Sequence, residues 1–181
     1  MPLSDPFAFQ LAGFSEGDVD EILADLDYLH RNSRWTHRRD QVERMIVESP
    51  VILLDFLRST CGLKATRLGC GLGQCGACKL LLGERAVAPC DTPMEAVAGQ
   101  HVTTLEGLGS RAAPHPLQTA FIDAQAMQCG FCTSGMIMSA AALLKRNPHP
   151  SEDDIRRALD DNLCRCGIHN RAVQAVVERA P

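Results

Sequence analysis

Nine cysteines in a chain of 181 residues constrain the fold more than any other feature. An odd number cannot all pair as disulfides within the chain. Their spacing sorts eight of them into two sets of four. Cys70, Cys75, Cys78 and Cys90 follow C-x4-C-x2-C-x11-C, and Cys129, Cys132, Cys164 and Cys166 follow C-x2-C-x31-C-x-C. Cys61 lies outside both sets, where a small buried apolar side chain is expected.

The compartment decides how such thiols are used. The first ten residues, MPLSDPFAFQ, lack the basic and long apolar regions of a secretory signal. The twin arginine Arg38-Arg39 is followed by Asp40, Gln41, Glu43 and Arg44 rather than an apolar export segment. No apolar run approaches a membrane span. A cytoplasmic, reducing location is therefore expected, where clustered cysteines point to metal. Acidic residues outnumber basic ones, 22 to 18, for a formal net charge of −4, so nothing favours nucleic acid or an anionic membrane surface. Aromatic residues, at 4%, also give little material for base stacking.

The chain divides into four zones. Residues 1–33 form an extension in which Val19, Ile22, Leu23, Leu26 and Leu29 recur at helical spacing. Ser15 suits its N-cap, and Phe7, Phe9, Leu11 and Phe14 precede it as an apolar arm. Residues 34–93 read as a small α/β unit: a hairpin over 35–47, a short buried helix over 51–58, then strands over 79–82 and 85–88 around a Gly83-Glu84 turn. Residues 94–114 form a linker, extended over 101–105. Residues 115–181 are helical, with helices expected over 117–126, 134–146, 152–162 and 170–179. Ser151 and Asp154 imitate a capping box there.

The first cysteine set has the plant-type spacing of a [2Fe–2S] site. Gly69, Gly71, Gly73 and Gly76 surround Cys70 and Cys75, so the loop can wrap closely and aim backbone N–H groups at sulfur. For the second set, spacing alone leaves iron–sulfur and structural zinc both open.

Longer motifs go further. Residues 69–78 (GCGLGQCGAC), 128–136 (QCGFCTSGM) and 162–167 (NLCRCG) together resemble the iron–sulfur subunit of the xanthine oxidase family of molybdenum hydroxylases. The likeness spans about residues 40–179 and includes LDFLR at 54–58, VTTLEGL at 102–108 and HPLQTAF at 115–121. It implies an α+β protein: an N-terminal β-grasp, ferredoxin-like domain followed by an all-α four-helix domain, each with one [2Fe–2S] cluster. The resemblance assigns Cys70, Cys75, Cys78 and Cys90 to the first cluster and Cys129, Cys132, Cys164 and Cys166 to the second. The helical domain's cluster would lie nearer a molybdopterin, as its cytosine dinucleotide, in a large partner subunit. Cys166 and Gln128 would contact the pterin. The other cluster would face a cytochrome, an FAD subunit or another acceptor. No catalytic residue is expected in this chain itself.

Two departures stand out. Ser134 occupies a position where the family often has proline. Cys166 is followed by Gly-Ile-His-Asn, a form that resembles the branch acting on nicotinate, other N-heteroaromatics or aldehydes. Other functions remain to be weighed: a freestanding two-cluster electron carrier, and an interaction module in which zinc supplies folding energy only. Met127, Met136 and Met138 are expected to pack near the second set rather than to ligate. His115, His149 and His169 are not needed as Rieske-type ligands, since eight thiols already fill two sites. Arg165, between two ligands, either tunes a cluster potential or forms a salt bridge. Residues 1–33 have no counterpart in the resemblance and are expected to clasp another subunit.

Overall fold

The computed structural model describes residues 52–97 and 99–179. The expected hairpin over 35–47, the N-terminal extension and the first residue of the helix expected over 51–58 lie outside them.

Ile52 bridges Pro93 in antiparallel fashion. Helix α1 (Leu53–Asp55) begins there and widens into a π-helical turn (Phe56–Thr60). Leu53, Leu54, Phe56 and Leu57 are all buried, as the apolar run implied. Strands β1 (Leu80–Leu82) and β2 (Arg85–Val87) form the expected hairpin, with Leu81 opposite Ala86 and Gly83 at φ 60° in the turn. Strand β3 (Val102–Thr103) pairs with the other edge of β1, giving the order β2-β1-β3. The stretch expected as a linker thus contributes a strand to the first unit's sheet. It does not stay extended through Leu105, which instead opens helix α2 (Leu105–Leu108).

Strand β1 is buried on both faces. Neighbouring strand residues point to opposite sides. Leu80 and Leu82 therefore join Leu53, Phe56, Leu57, Cys61, Met94 and Val97, whereas Leu81 joins the core of the helical half. Cys61 sits in an apolar core, as its place outside both sets suggested.

The helical half contains α3 (Pro116–Asp123), α4 (Thr133–Arg146), α5 (Glu152–Leu159) and α6 (His169–Val177). Helix α3 packs on α4 and α6, and α5 packs on the same two, which closes a ring. Helix α4 is buried without a break from Ser134 to Leu143 and also packs against β1 and β2. Gly135, Ser139, Ala140, Ala141 and Ala142 keep it slender enough for neighbours on several sides.

Caps fix the helix ends. Ser151 and Asp154 form the expected reciprocal box on α5. His115 caps α3: its Nδ1 accepts from Leu117 N–H at 3.2 Å, and its own N–H donates to Gln118 Oε1 at 2.8 Å. Helix α3 stops earlier than residue 126 because Gln125 turns left-handed at φ 48°. Ala126 N–H then returns to Phe121 O at 2.9 Å, a Schellman-type closure.

Two outcomes follow from these ends. Replacing Gln125 with Gly removes the left-handed penalty and is expected to stabilise the protein by about 1 kcal/mol, read as a raised melting temperature. The His115 pKa is held below 6.5, first by burial and then by the charges of Arg179 and Lys145. The unfolded chain therefore binds this proton more readily. The contribution is fully present above 6.5 and is lost as pH falls below it. His115→Asn keeps a good cap without the titration. The wild type should lose melting temperature relative to this variant between neutral pH and the acid side of 6.5.

Candidate metal centres

The loop carrying the first cysteine set turns its backbone toward sulfur. Cys70 Sγ accepts N–H bonds from Leu72, Gln74 and Cys75, each at 3.3 Å. Cys75 Sγ accepts from Cys70 N–H, and Cys90 Sγ from Gly73 N–H, also at 3.3 Å. These bonds favour thiolates. The N–H groups of Leu72 and Cys75 lead in lowering the Cys70 pKa from 9.0 to about 6. Cys78 behaves oppositely, because burial pushes its pKa up to about 12. Cys78 Sγ lies 3.4 Å from Cys90 Sγ. The four thiols therefore group as Cys70 with Cys75 and Cys78 with Cys90.

The second set repeats the arrangement. The Cys129 thiol neighbours that of Cys166, and the Cys132 thiol that of Cys164. Phe131 N–H leads in lowering the Cys129 pKa. Burial acts to raise that of Cys164, but the N–H groups of Ile168, Cys166 and Gly167, with the Cys132 thiol, outweigh it and the net shift is downward. Burial pushes Cys132 up to about 12.

Both sets are thus two-plus-two. Among the described residues, no three His, Cys, Asp or Glu side chains gather around one point as a single ion requires. A tetrahedral zinc site draws four ligands onto one centre. Paired thiols suit a two-iron core in which each metal takes two sulfurs. The cradle also fits: a Cβ at Gly69 would fall 2.5 Å from Cys75 Sγ. The buried hydroxyl of Thr133, next to Cys132, has no hydrogen-bond partner among the described residues.

The two loops meet directly. Leu163 N–H bonds Cys75 O at 3.0 Å, Asn162 Nδ2 bonds Gly76 O at 2.9 Å, and Ser134 Oγ makes a longer 3.4 Å bond to Ala77 O. Glycine makes this approach feasible. Gly76 sits at φ 68°, and a Cβ there would strike Asp161 O and Asn162 Nδ2; one at Gly135 would strike Gly76 O. Phe131 also reaches across, with its ring edge 3.6 Å from the Gly69 Cβ position.

Other sequence expectations resolve unevenly. Gln128 is exposed beside Cys129, and Cys166 is half-buried. Met136 and Met138 are core residues, but Met127 is 58% exposed. His169 Nε2 donates to Asn162 O at 2.7 Å, and Arg171 Nη1 to Gln125 O at 3.3 Å. Arg165 is exposed. Sequence reasoning did not single out Asn162, which is 0% exposed, or the role of Ser134 in joining the loops. The only available signals were a polar residue beside a C-x-C pair and a departure from proline.

Two adjacent four-thiol centres, joined through backbone, are the build of a one-electron relay. Comparisons with known proteins agree. Residues 37–105 match the family model of the 2Fe-2S iron-sulfur cluster binding domain, and residues 104–177 match that of the [2Fe-2S] binding domain. The chain is 52% identical over 129 residues to one subunit of the nicotinate dehydrogenase of Pseudomonas putida, covering 71% of this chain and 81% of that one. It is 50% identical over 128 residues to the alpha subunit of isoquinoline 1-oxidoreductase from Brevundimonas diminuta, covering 71% and 83%. The aldehyde oxidoreductase structure from Desulfovibrio desulfuricans superposes with a TM-score of 0.70 at 46% identity, over 73% of this chain and 15% of that longer one. The chain belongs to the electron-transferring iron–sulfur subunits of the xanthine oxidase family of molybdenum hydroxylases.

The close approach generates a paired test. Gly76→Ala adds both left-handed strain and a backbone clash, and is expected to cost on the order of 3 kcal/mol and to lower iron content. Gly71→Ala shares the positive φ, but its Cβ would meet only Leu68 Cδ1, at 3.9 Å. It should cost about 1 kcal/mol, measured by melting of the iron-loaded protein.

Proposed function

We propose that this chain relays electrons one at a time from a molybdopterin centre in a large partner subunit to an external acceptor, within a complex that hydroxylates an N-heteroaromatic ring. The two-plus-two grouping of the thiols carries the reading. Cys70, Cys75, Cys78 and Cys90 would hold one [2Fe–2S] cluster, and Cys129, Cys132, Cys164 and Cys166 the other. When bound, each cluster accepts and releases a single electron. The chain's own part is to supply thiolates, to stabilise them with backbone N–H groups, and to hold the two sites at a fixed separation.

The finer assignments follow the same reading. Residues 34–93 with the strand at 102–103 would complete a β-grasp domain, and residues 115–181 a four-helix domain. Cys166 and the exposed Gln128 would meet the pterin, in its cytosine dinucleotide form, on the partner. An FAD subunit or a cytochrome would accept the electrons. The names of the nicotinate and isoquinoline relatives favour an N-heteroaromatic substrate over an aldehyde. No helix among the described residues is long and apolar enough to cross a membrane, and the reducing cytoplasm suits the unpaired use of so many thiols. A freestanding carrier of the ferredoxin class would need only the first centre, and the subunit names of the nicotinate and isoquinoline relatives favour membership of a larger complex over a freestanding two-cluster carrier.

The purified protein, with whatever co-purifies, provides the test. Iron and acid-labile sulfide should each approach about four per chain, and the reduced protein should show two distinct EPR signals. Stoichiometric zinc in a colourless protein would sink the reading.

A further inference from the structure

The turn between Cys75 and Cys78 presents three successive backbone carbonyls, and the helical half supplies a donor to each. Leu163 N–H takes Cys75 O, Asn162 Nδ2 takes Gly76 O, and Ser134 Oγ takes Ala77 O. The Lys79–Asp161 ion pair, 3.3 Å long and 80% exposed on its acidic side, borders this seam. An ion pair so exposed contributes little. The middle residue is different in kind. Asn162 is 0% exposed. Its Oδ1 accepts from Ser139 Oγ at 2.9 Å, its N–H donates to Leu159 O at 2.9 Å, and its carbonyl accepts from His169 Nε2 at 2.7 Å. Ser139 lies on α4, Leu159 ends α5 and His169 opens α6, so α4 orients the side-chain amide while α5 and α6 hold the backbone that carries it. A buried amide satisfied at every atom has one low-energy orientation, because any other strands a polar group away from water.

We propose that Asn162 is a positioning residue for one-electron exchange between the two centres. It holds the adjacent Leu163 N–H on Cys75 O. That hydrogen bond joins a thiol-bearing residue of the first set to the peptide that leads into Cys164 of the second. Each exchange oxidises one two-iron core by one electron and reduces the other by one, with no proton or co-reactant. Tunnelling falls steeply with separation and favours bonded paths, so a small shift of this seam acts on rate before it acts on folding. The proposal rests on both thiol sets holding [2Fe–2S] clusters.

The test uses the full chain with both clusters loaded, as wild type, Asn162→Asp and Ser139→Ala. Asn162→Asp keeps the size and the acceptor for Ser139, but it sets an oxygen against Gly76 O. Iron should stay near that of the wild type. The magnetic splitting between the two reduced clusters, read by low-temperature EPR, should weaken. Electron exchange after flash photoreduction should slow about tenfold. Ser139→Ala leaves the Gly76 bond in place but removes the group that orients the amide, so a smaller slowing in the same direction is expected. If Asn162→Asp loses iron, Ser139→Ala carries the test. Unchanged splitting and rate in the iron-replete variant overturn the proposal, even where the melting temperature falls, since Asn162 is then only structural. A wild type lacking two iron–sulfur signals refutes the cluster assignment instead, so the two failures are distinguishable.

Discussion

A carbonyl buried between two protein halves must find a donor or lose the free energy of its hydration, about 1–3 kcal/mol for each unmet group. The turn holding Cys75, Gly76 and Ala77 buries several at once against the helical half. Asn162 joins Lys79 N–H in meeting the central one, and its own buried amide is satisfied from α4 in turn. The apposition of the two thiol sets depends on this exchange of hydrogen bonds. Glycine at 76 and at 135 removes the side chains that would hold the backbones apart. Apolar packing alone would not set so definite a register, since it is non-directional.

The thiols divide along another physical line. Each set holds at least one sulfur that ionises easily under backbone N–H groups, Cys70 in the first and Cys129 and Cys164 in the second, and one that burial keeps protonated. Cys70, at about 6, and Cys78, at about 12, show this in the first set. Metal has to displace the proton from the buried member, so loading releases protons and contributes folding free energy as it proceeds. The apo chain cannot place a charge at Cys78 or Cys132 without that compensation. The same division leaves Cys70 and Cys129 exposed among the described residues. Because four thiolates outweigh the positive charge of the core they bind, the loaded chain is also more acidic than its formal net charge of −4.

Much of this was legible in the sequence because it was local. Cysteine spacing is a distance constraint written along the chain, and the glycine-rich loop gave the direction of its N–H groups. The hairpin around Gly83-Glu84 and the Ser151–Asp154 cap involve residues only a few positions apart, where turn and capping chemistry decide. What stayed hidden was non-local. Asn162 follows Asp160 and Asp161 at the end of the helix expected over 152–162, which stops at Leu159, and its partners are at positions 76, 139 and 169. The early end of α3 depends on a left-handed glutamine, a conformation that residue type disfavours. Strand β3 lies within the stretch expected to be extended over 101–105, but its pairing with β1, some twenty residues earlier, is a long-range contact that two residues cannot announce. Met127 was grouped with Met136 and Met138 by sequence distance, but it precedes α4 rather than lying on it, and so faces outward.

The leucine run of β1 shows why the two halves behave as one body. A strand covered on one face alternates apolar and polar residues, whereas Leu80, Leu81 and Leu82 do not alternate at all. Such a run demands cover on both sides. The first unit supplies it for Leu80 and Leu82, through α1 and the π turn, and the helical half supplies it for Leu81. Separating the halves would expose Leu81 and break the hydrogen bonds to the Cys75–Ala77 turn in the same motion. The apolar and polar costs therefore fall together rather than in sequence. A rigid junction suits a relay, because the separation of its centres is then set by the fold and not by diffusion of one domain about a linker.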